Sequence, residues 1–322
     1  MTAVTNGTPA PRLVTLGETM ALLSSPRIGP LRHARSLDVG VGGAESNVAV
    51  GATRLGVRAA WIGRVGDDEF GRLVRGCLAA EGVDLRAVVT DPHPTGIMIK
   101  TRRTATATDV RYYRAGSAGS RLCPDDLDAD LIRAAGVLHV TGITPALSAS
   151  AAAAVAAAVD LAGAAGVTVS LDLNYRRALW PPEAAGPALR GLVRRADLVF
   201  ATEAEARLVV DGVDPVALAR ALAALGPRRV VVKRGAHGAV AVADDAVHTA
   251  PAHPVEAVDP VGAGDAFAAG YLAEELAGCD AAACLATATA AGAFAVTVSG
   301  DWEGLPERAD LALLDAGEAV RR

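Results

Sequence analysis

Short, almost unbroken apolar runs alternate along this chain with longer stretches whose apolar residues recur at helical spacing. The short runs cover residues 13–16, 59–65, 137–140, 167–173, 198–201, 230–233 and 239–242. They are rich in Val, Leu and Ala without regular polar alternation, which predicts strands buried on both faces of a sheet. The helical stretches cover 45–55, 69–80 (opened by Asp67), 148–165 and 215–225. Gly56, Gly82, Gly166 and Gly226 stand just past them, where a left-handed residue closes a helix. Strand and helix in alternation predict an α/β fold with a mostly parallel, doubly wound sheet.

Two stretches, 26–39 and 88–114, break the alternation and read as strands and turns without helices. Within the second, 95–101 and 109–114 form a hairpin pattern around a polar 102–108 segment. These segments are expected to make a small β-rich lid over the active face of a single domain spanning 1–322. A lid that excludes water suits an enzyme whose donor must not be hydrolysed.

Composition narrows the partners. The chain is 51% hydrophobic with a formal net charge of −5, and has no basic block, which argues against nucleic acid. No apolar run reaches membrane-spanning length, and residues 1–12 read as a polar, frayed tail. Cys77, Cys123, Cys279 and Cys284 lack CxxC spacing and read as buried, reduced thiols of a cytoplasmic protein. Lys100 and Lys233 are the only lysines, so nearly every fixed cation is a guanidinium, suited to carboxylate or phosphate. Oligomeric state stays open, although exposed lid strands can pair in a homo-oligomer.

Two glycine-rich segments carry the chemistry. In Asp259-Pro-Val-Gly-Ala-Gly-Asp265 a Gly262-Ala263-Gly264 turn leads into a helix with a carboxylate at its mouth. Converging backbone N–H groups and a helix N-terminus bind an anion such as a transferring phosphoryl group. A carboxylate there repels phosphate, and makes sense as the base for an attacking hydroxyl. The same residues also read as an ordinary glycine turn with an aspartate cap. The second segment, Gly40-Val-Gly-Gly-Ala-Glu-Ser-Asn47, puts Ser46 and Asn47 at the opening of a helix, either to bind hydroxyls or to cap it. Its spacing is not a dinucleotide fingerprint.

Taken together, in this order and at opposite ends of the chain, the two segments resemble the paired motifs of the ribokinase-like (phosphofructokinase-B type) sugar kinases. The resemblance runs from residue 13 to about 305. It implies a three-layer ribokinase-like fold, ATP with Mg²⁺, Asp265 as catalytic base, and Gly262, Ala263 and Gly264 as an anion hole. The turn Lys233-Arg234-Gly235-Ala236-His237-Gly238 resembles the family's nucleotide contact. Glu205 is the candidate for magnesium, through water. Activation by a monovalent cation stays open.

The substrate half is more specific. Arg111-Tyr112-Tyr113-Arg114 and Asn174-Tyr175-Arg176 set guanidinium groups beside hydroxyls and amides. A neutral sugar needs no fixed guanidinium, whereas a sugar acid does. These segments resemble those of the 2-keto-3-deoxygluconate kinases. That resemblance implies that Tyr112, Arg114 and Arg176 hold the sugar acid, with Asn174 and Arg176 at its junction with the nucleotide. Gly42, Gly43, Ala44, Glu45 and Ser46, with Asn47, would meet sugar hydroxyls, and Asp301 would add a contact. The chain departs from the pattern at Thr202, where relatives often carry asparagine, and at Met98, where some carry tyrosine. The rival readings are a kinase of the same fold for a neutral sugar (fructose or ribose) or a nucleoside, and a non-catalytic sugar-binding regulator.

Overall fold

The computed structural model describes residues 12–104 and 107–314; the expected tail lies outside them except for Arg12. The chain opens with β1 (Leu13–Leu16), runs through β2 (Met20–Ser24) and β3 (Asp38–Gly42), and enters α1 (Ala44–Arg54). Next come β4 (Ala59–Gly66), α2 (Glu69–Ala80), β5 (Val88–Asp91), β6 (Ile97–Arg102) and β7 (Thr108–Tyr113). The central stretch holds α3 (Ala129–Arg133), β8 (Val137–Thr141), α4 (Ala149–Ala164), β9 (Thr168–Asp172), α5 (Pro182–Val193) and β10 (Leu198–Thr202). Then follow α6 (Glu203–Val209), α7 (Pro215–Ala223), β11 (Arg229–Lys233), β12 (Ala239–Ala243) and β13 (Ala246–Ala250). Two packed helices, α8 (Ala263–Ala277) and α9 (Ala281–Ala295), close the core.

Nine strands form the main sheet in the order β13-β12-β11-β10-β9-β8-β1-β4-β5. It is parallel from β5 to β11, while β12 and β13 add an antiparallel end. Both faces are covered. Val14 and Leu16 of β1 face a cluster that includes Ala154, Leu189 and Leu218 of α4, α5 and α7. Leu13 faces the opposite cluster, with Val48 of α1 and Tyr271 of α8. Neighbouring residues of a strand thus serve different helix layers, which is why these strands read as unbroken apolar runs.

A second sheet, in the order β3-β2-β6-β7, stands apart from the first. The expected 95–101 and 109–114 hairpin is its antiparallel β6–β7 pair. Its other half differs from the expected lid. Residues 26–39 contribute only the start of β3, and the missing strand is β2, whose Met20 and Leu22 pack on Met98 of β6. The lid boundary at 88 also moves. β5 pairs in parallel with β4 at the edge of the main sheet, because Val88–Asp91 continues the βαβ unit begun by β4 and α2.

All four cysteines are free. Only Cys284 is buried; Cys279 is exposed, just past the end of α8, which corrects the expectation of four buried thiols. No helix of the described residues is long and apolar enough to cross a membrane.

Candidate active site

β1 is the point where the sheet's strand order reverses, with β4 on one side and β8 on the other. In open α/β sheets the crevice past the carboxyl ends of strands at such a point is where ligands bind. The loops there carry Glu18 after β1, Thr141 and Thr144 at and after β8, and Asp172 and Asn174 at and after β9.

Asp265 lies in the first turn of α8 and is 9% exposed. The Asn47 side chain, from the first turn of α1, donates from Nδ2 to Asp265 Oδ2 at 2.9 Å. The two glycine-rich segments therefore meet, 218 residues apart in the chain. Burial pushes the Asp265 carboxyl up to about 7, and the neighbouring Asp172 carboxylate adds to this. The Asn47 hydrogen bond and the charges of Arg176 and Lys233 pull it back. A carboxyl near neutrality, held by one donor, has the character of a general base.

The turn before it, expected to form the anion hole, is tightly fitted. Gly262 caps α8 at φ 81°, in the left-handed region, and a Cβ there would stand 2.0 Å from the Asp301 carbonyl oxygen. Only glycine fits on both counts. The first bond of the helix runs from the Ala266 N–H to the Gly262 carbonyl at 2.9 Å. The N–H groups of Gly264 and Asp265 lie ahead of it, at the positive end of the helix. Lys233 Nζ sits beside Gly264, about 3.4 Å from where a Cβ would stand, and forms an ion pair with Asp172 Oδ2 at 2.5 Å.

The turn expected to contact the nucleotide follows β11. Gly235–His237 makes a single 3-10 turn, its residues exposed, between the half-buried Arg234 and the buried Gly238. The Arg234 N–H donates to the Gly238 carbonyl at 2.8 Å, closing the turn, and its side chain pairs with Glu203 at 3.2 Å.

Glu205 and Thr202 form a reciprocal cap on α6, with the Thr202 N–H on Glu205 Oε2 at 2.8 Å. Glu205 Oε1 accepts the Tyr175 N–H at 2.9 Å, which fixes the segment after β9. Asn174 there adopts φ 36°, its N–H on Asp172 Oδ1 at 3.3 Å. Arg176 beside it is exposed, yet acts on the Asp265 carboxyl.

The loop expected to meet sugar hydroxyls divides in two. Asn47 faces Asp265, but the carboxyl of Glu45 is buried under Gly17, where the Thr141 and Thr144 hydroxyls donate to Oε1 at 2.7 Å each. Burial raises its pKa. The Ser46 hydroxyl is turned back onto the Gly43 carbonyl at 3.0 Å. Gly42 makes room for Asp301: a Cβ there would stand 2.3 Å from Asp301 Oδ2 and 2.2 Å from Met98 Cε. Gly43 and Ala44 join this contact to α1, as its cap and first residue. Asp301 thus wedges between both glycine loops, its carboxylate against Gly42 and its carbonyl against Gly262.

Arg114, expected to hold the sugar acid, already has a carboxylate partner within the protein. It is buried, with Nε and Nη2 on Glu18 Oε2 at 2.7 and 2.6 Å, and its guanidinium lies 5.5 Å from the centre of the Tyr112 ring. The Ser117 hydroxyl donates to the other oxygen of Glu18. Glu18 was not among the expected site residues. Its signal is positional, a carboxylate just past the carboxyl end of the first strand.

Residues 10–308 match the model of the pfkB family carbohydrate kinase. The chain is 41% identical to the 2-dehydro-3-deoxygluconokinase of Thermoproteus tenax, over 91% of each chain. It is 37% identical to the 2-dehydro-3-deoxygalactonokinase of Haloferax volcanii, over 90% of this chain and 92% of that one. Among solved structures it superposes on a chain from E. coli, provisionally named Ribokinase II and bound to ATP and Mg²⁺, with a TM-score of 0.88 at 28% identity. That superposition covers 95% of this chain and 99% of the other. With a reversed-order sheet, a covering second sheet and an acidic residue at a glycine-turned helix mouth, this chain belongs to the pfkB family of carbohydrate kinases.

Proposed function

We propose that the chain transfers the γ-phosphoryl group of ATP to the terminal primary hydroxyl of 2-keto-3-deoxygluconate, the compound also called 2-dehydro-3-deoxygluconate. One observation carries the reading: Asp265, a buried carboxyl pushed up to about 7, lies in the first turn of a glycine-capped helix and feels the charge of Arg176. A cationic group near the base suits an acidic sugar, and the names of the two relatives agree with a keto-deoxy sugar acid.

In this reading Arg176 takes the substrate carboxylate. Arg114, tied to Glu18, supports it through its remaining N–H groups, with Tyr112 packed beneath. Asn47 and Asp301 meet the hydroxyls. The terminal hydroxyl then lies near Asp265, which accepts its proton as the oxygen attacks phosphorus and ADP leaves. The Gly262–Gly264 turn receives the charge that develops on the phosphoryl oxygens, while Lys233, Asn174 and the 234–238 turn hold the nucleotide. Positioning and fixed dipoles supply most of the rate in such transfers.

Among the described residues no group of three His, Cys, Asp or Glu could hold a metal ion. Mg²⁺ therefore fits as a companion of the nucleotide, held by phosphates and water, where it neutralises phosphate charge. Glu205, whose oxygens already accept three hydrogen bonds, has room for one such water. The free cysteines agree with a reducing, cytoplasmic setting.

An ADP-release assay over 2-keto-3-deoxygluconate, 2-keto-3-deoxygalactonate, fructose and ribose tests the reading. The expected order puts the two keto-deoxy acids far above the neutral sugars. A higher kcat/KM on fructose or ribose would overturn the substrate class. Failure of every sugar in the panel to give ADP release would favour the non-catalytic alternative.

A further inference from the structure

Lys100 stands on β6, in the lid sheet, but its ammonium is buried against the body of the protein and is only 4% exposed. Nζ lies 2.6 Å from Asp259 Oδ2, 2.8 Å from the Gly300 carbonyl oxygen and 3.4 Å from Asp301 Oδ1. An ammonium has three donors and no acceptor, so the three oxygens use its full capacity. Asp259 and Asp301 are themselves 1% and 8% exposed. Two carboxylates and one carbonyl thus make an oxygen cage around a single tethered cation.

The cage is built from the loops that shape the anion cradle. Asp259 opens the segment that ends at Asp265. Its Oδ1 accepts the Val261 N–H at 3.2 Å, and its Oδ2 accepts the Gly300 N–H at 3.4 Å. The carbonyl of Asp301 bears on Gly262, and its carboxylate bears on Gly42. Through Lys100 one strand of the lid therefore grips the loop before the cradle and the loop after α9. Burying an isolated ammonium is expensive, and breaking such a cluster by removing one partner leaves uncompensated charge. A lid that only shielded the site from water would not need this arrangement.

We propose that Lys100 is a positioning residue: a cation tethered to the lid strand that holds residues 259–264 in the shape required for phosphoryl transfer, so that the anion cradle depends on where the lid sits. The proposal rests on the reading of Gly262–Asp265 as the phosphoryl site. Removing the side chain leaves a cavity lined by oxygens, which fits a small free cation.

The test compares the full-length parent with Lys100→Ala in ammonium, methylammonium or tetramethylammonium chloride at constant ionic strength, with a sugar that the parent phosphorylates. The variant is expected to lose about tenfold or more in kcat, the scale of a lost charge-assisted contact, with little change in the sugar KM. Ammonium or methylammonium restores much of that loss. Tetramethylammonium, too bulky for the cage and unable to donate, does not, and the parent runs at one rate in all three salts. Parental kcat in Lys100→Ala, or a folded Lys100→Ala that stays slow in every salt, overturns the proposal. If Lys100→Ala is too unstable to assay, its melting temperature is expected to rise in ammonium over tetramethylammonium more than the parent's does. The absence of that rise overturns the proposal. Lys100→Met, which fills the cavity without charge, should be slow and indifferent to salt, and parental kcat there overturns it too. A parent that phosphorylates no sugar refutes the functional reading instead, and the melting comparison still judges the cage.

Discussion

Asp265→Asn should make the protein more stable as well as inactive, and by an amount that depends on pH. The parent carboxyl is lifted from 3.8 to about 7, chiefly by burial. The native state therefore holds this proton more tightly than the unfolded chain does. That contribution to stability is full below the unfolded value and is lost as pH rises to about 7. At about 1.4 kcal/mol per pK unit, the roughly three-unit lift sets an upper bound of ~4 kcal/mol on the cost of keeping Asp265 ionised. Asparagine has the same shape, can still accept the Asn47 donor, and carries no charge. Its advantage over the parent should be small near pH 4, grow through neutrality, and level off above about pH 7. In a chain of this size each kcal/mol moves Tm by about 1–2 °C. Denaturant or thermal melts of both proteins across that pH range measure the gap, and an ADP-release assay measures the loss of turnover, expected at several orders of magnitude. A gap that is flat or shrinks with rising pH would refute the desolvated carboxyl. Near-parental turnover would refute its role as base.

Other expectations follow from the same contacts. Arg176→Leu should raise KM for the keto acid about 10- to 100-fold, the value of a charge-assisted hydrogen bond, and leave KM for ATP much less affected; equal effects on a neutral sugar would exclude carboxylate binding. In the parent, kcat/KM should rise with pH through about 7 as Asp265 loses its proton. Asn47→Leu removes the donor that holds this value down, so the acid limb of the profile should move to higher pH; an unmoved limb would separate Asn47 from the base. Lys233→Met leaves Asp172, 1% exposed, without its cation. It should lower stability by about 3–5 kcal/mol in a denaturant melt and shift the same limb upward.

Much of the scaffold was legible because it obeys local rules. The strands of the main sheet are buried on both faces, and their continuous apolar runs announce it. Helix ends carried their own glycine punctuation. β2 escaped because Met20-Ala-Leu-Leu-Ser24 follows β1 after a three-residue turn, and its partners on both sides lie later in the chain. β5 escaped for a related reason: a short edge strand beside a hairpin looks like part of it.

The candidate site was legible as residue types and not as pairings. Arginine at 114 suggested a carboxylate ligand, but no spacing rule announces that Glu18, 96 residues earlier, already occupies two of its donors. Glu45 stood in the right loop, yet which way its side chain turned depended on the hydroxyls of Thr141 and Thr144, 96 and 99 residues later in the chain. Lys100 drew notice only as a rare residue type. Its neighbours 159 and 201 positions away give it meaning. Long-range pairs of this kind depend on the finished fold, and so does the burial that lifts Asp265.

The most direct measurement is a structure of the chain with 2-keto-3-deoxygluconate and a non-hydrolysable ATP analogue. The expected pose puts the substrate's terminal hydroxyl oxygen within about 2.6–3.2 Å of an Asp265 carboxylate oxygen and the substrate carboxylate on the Arg176 guanidinium. A substrate bound in the reverse sense, with its carboxylate toward the helix mouth and its primary hydroxyl under the lid, would contradict it.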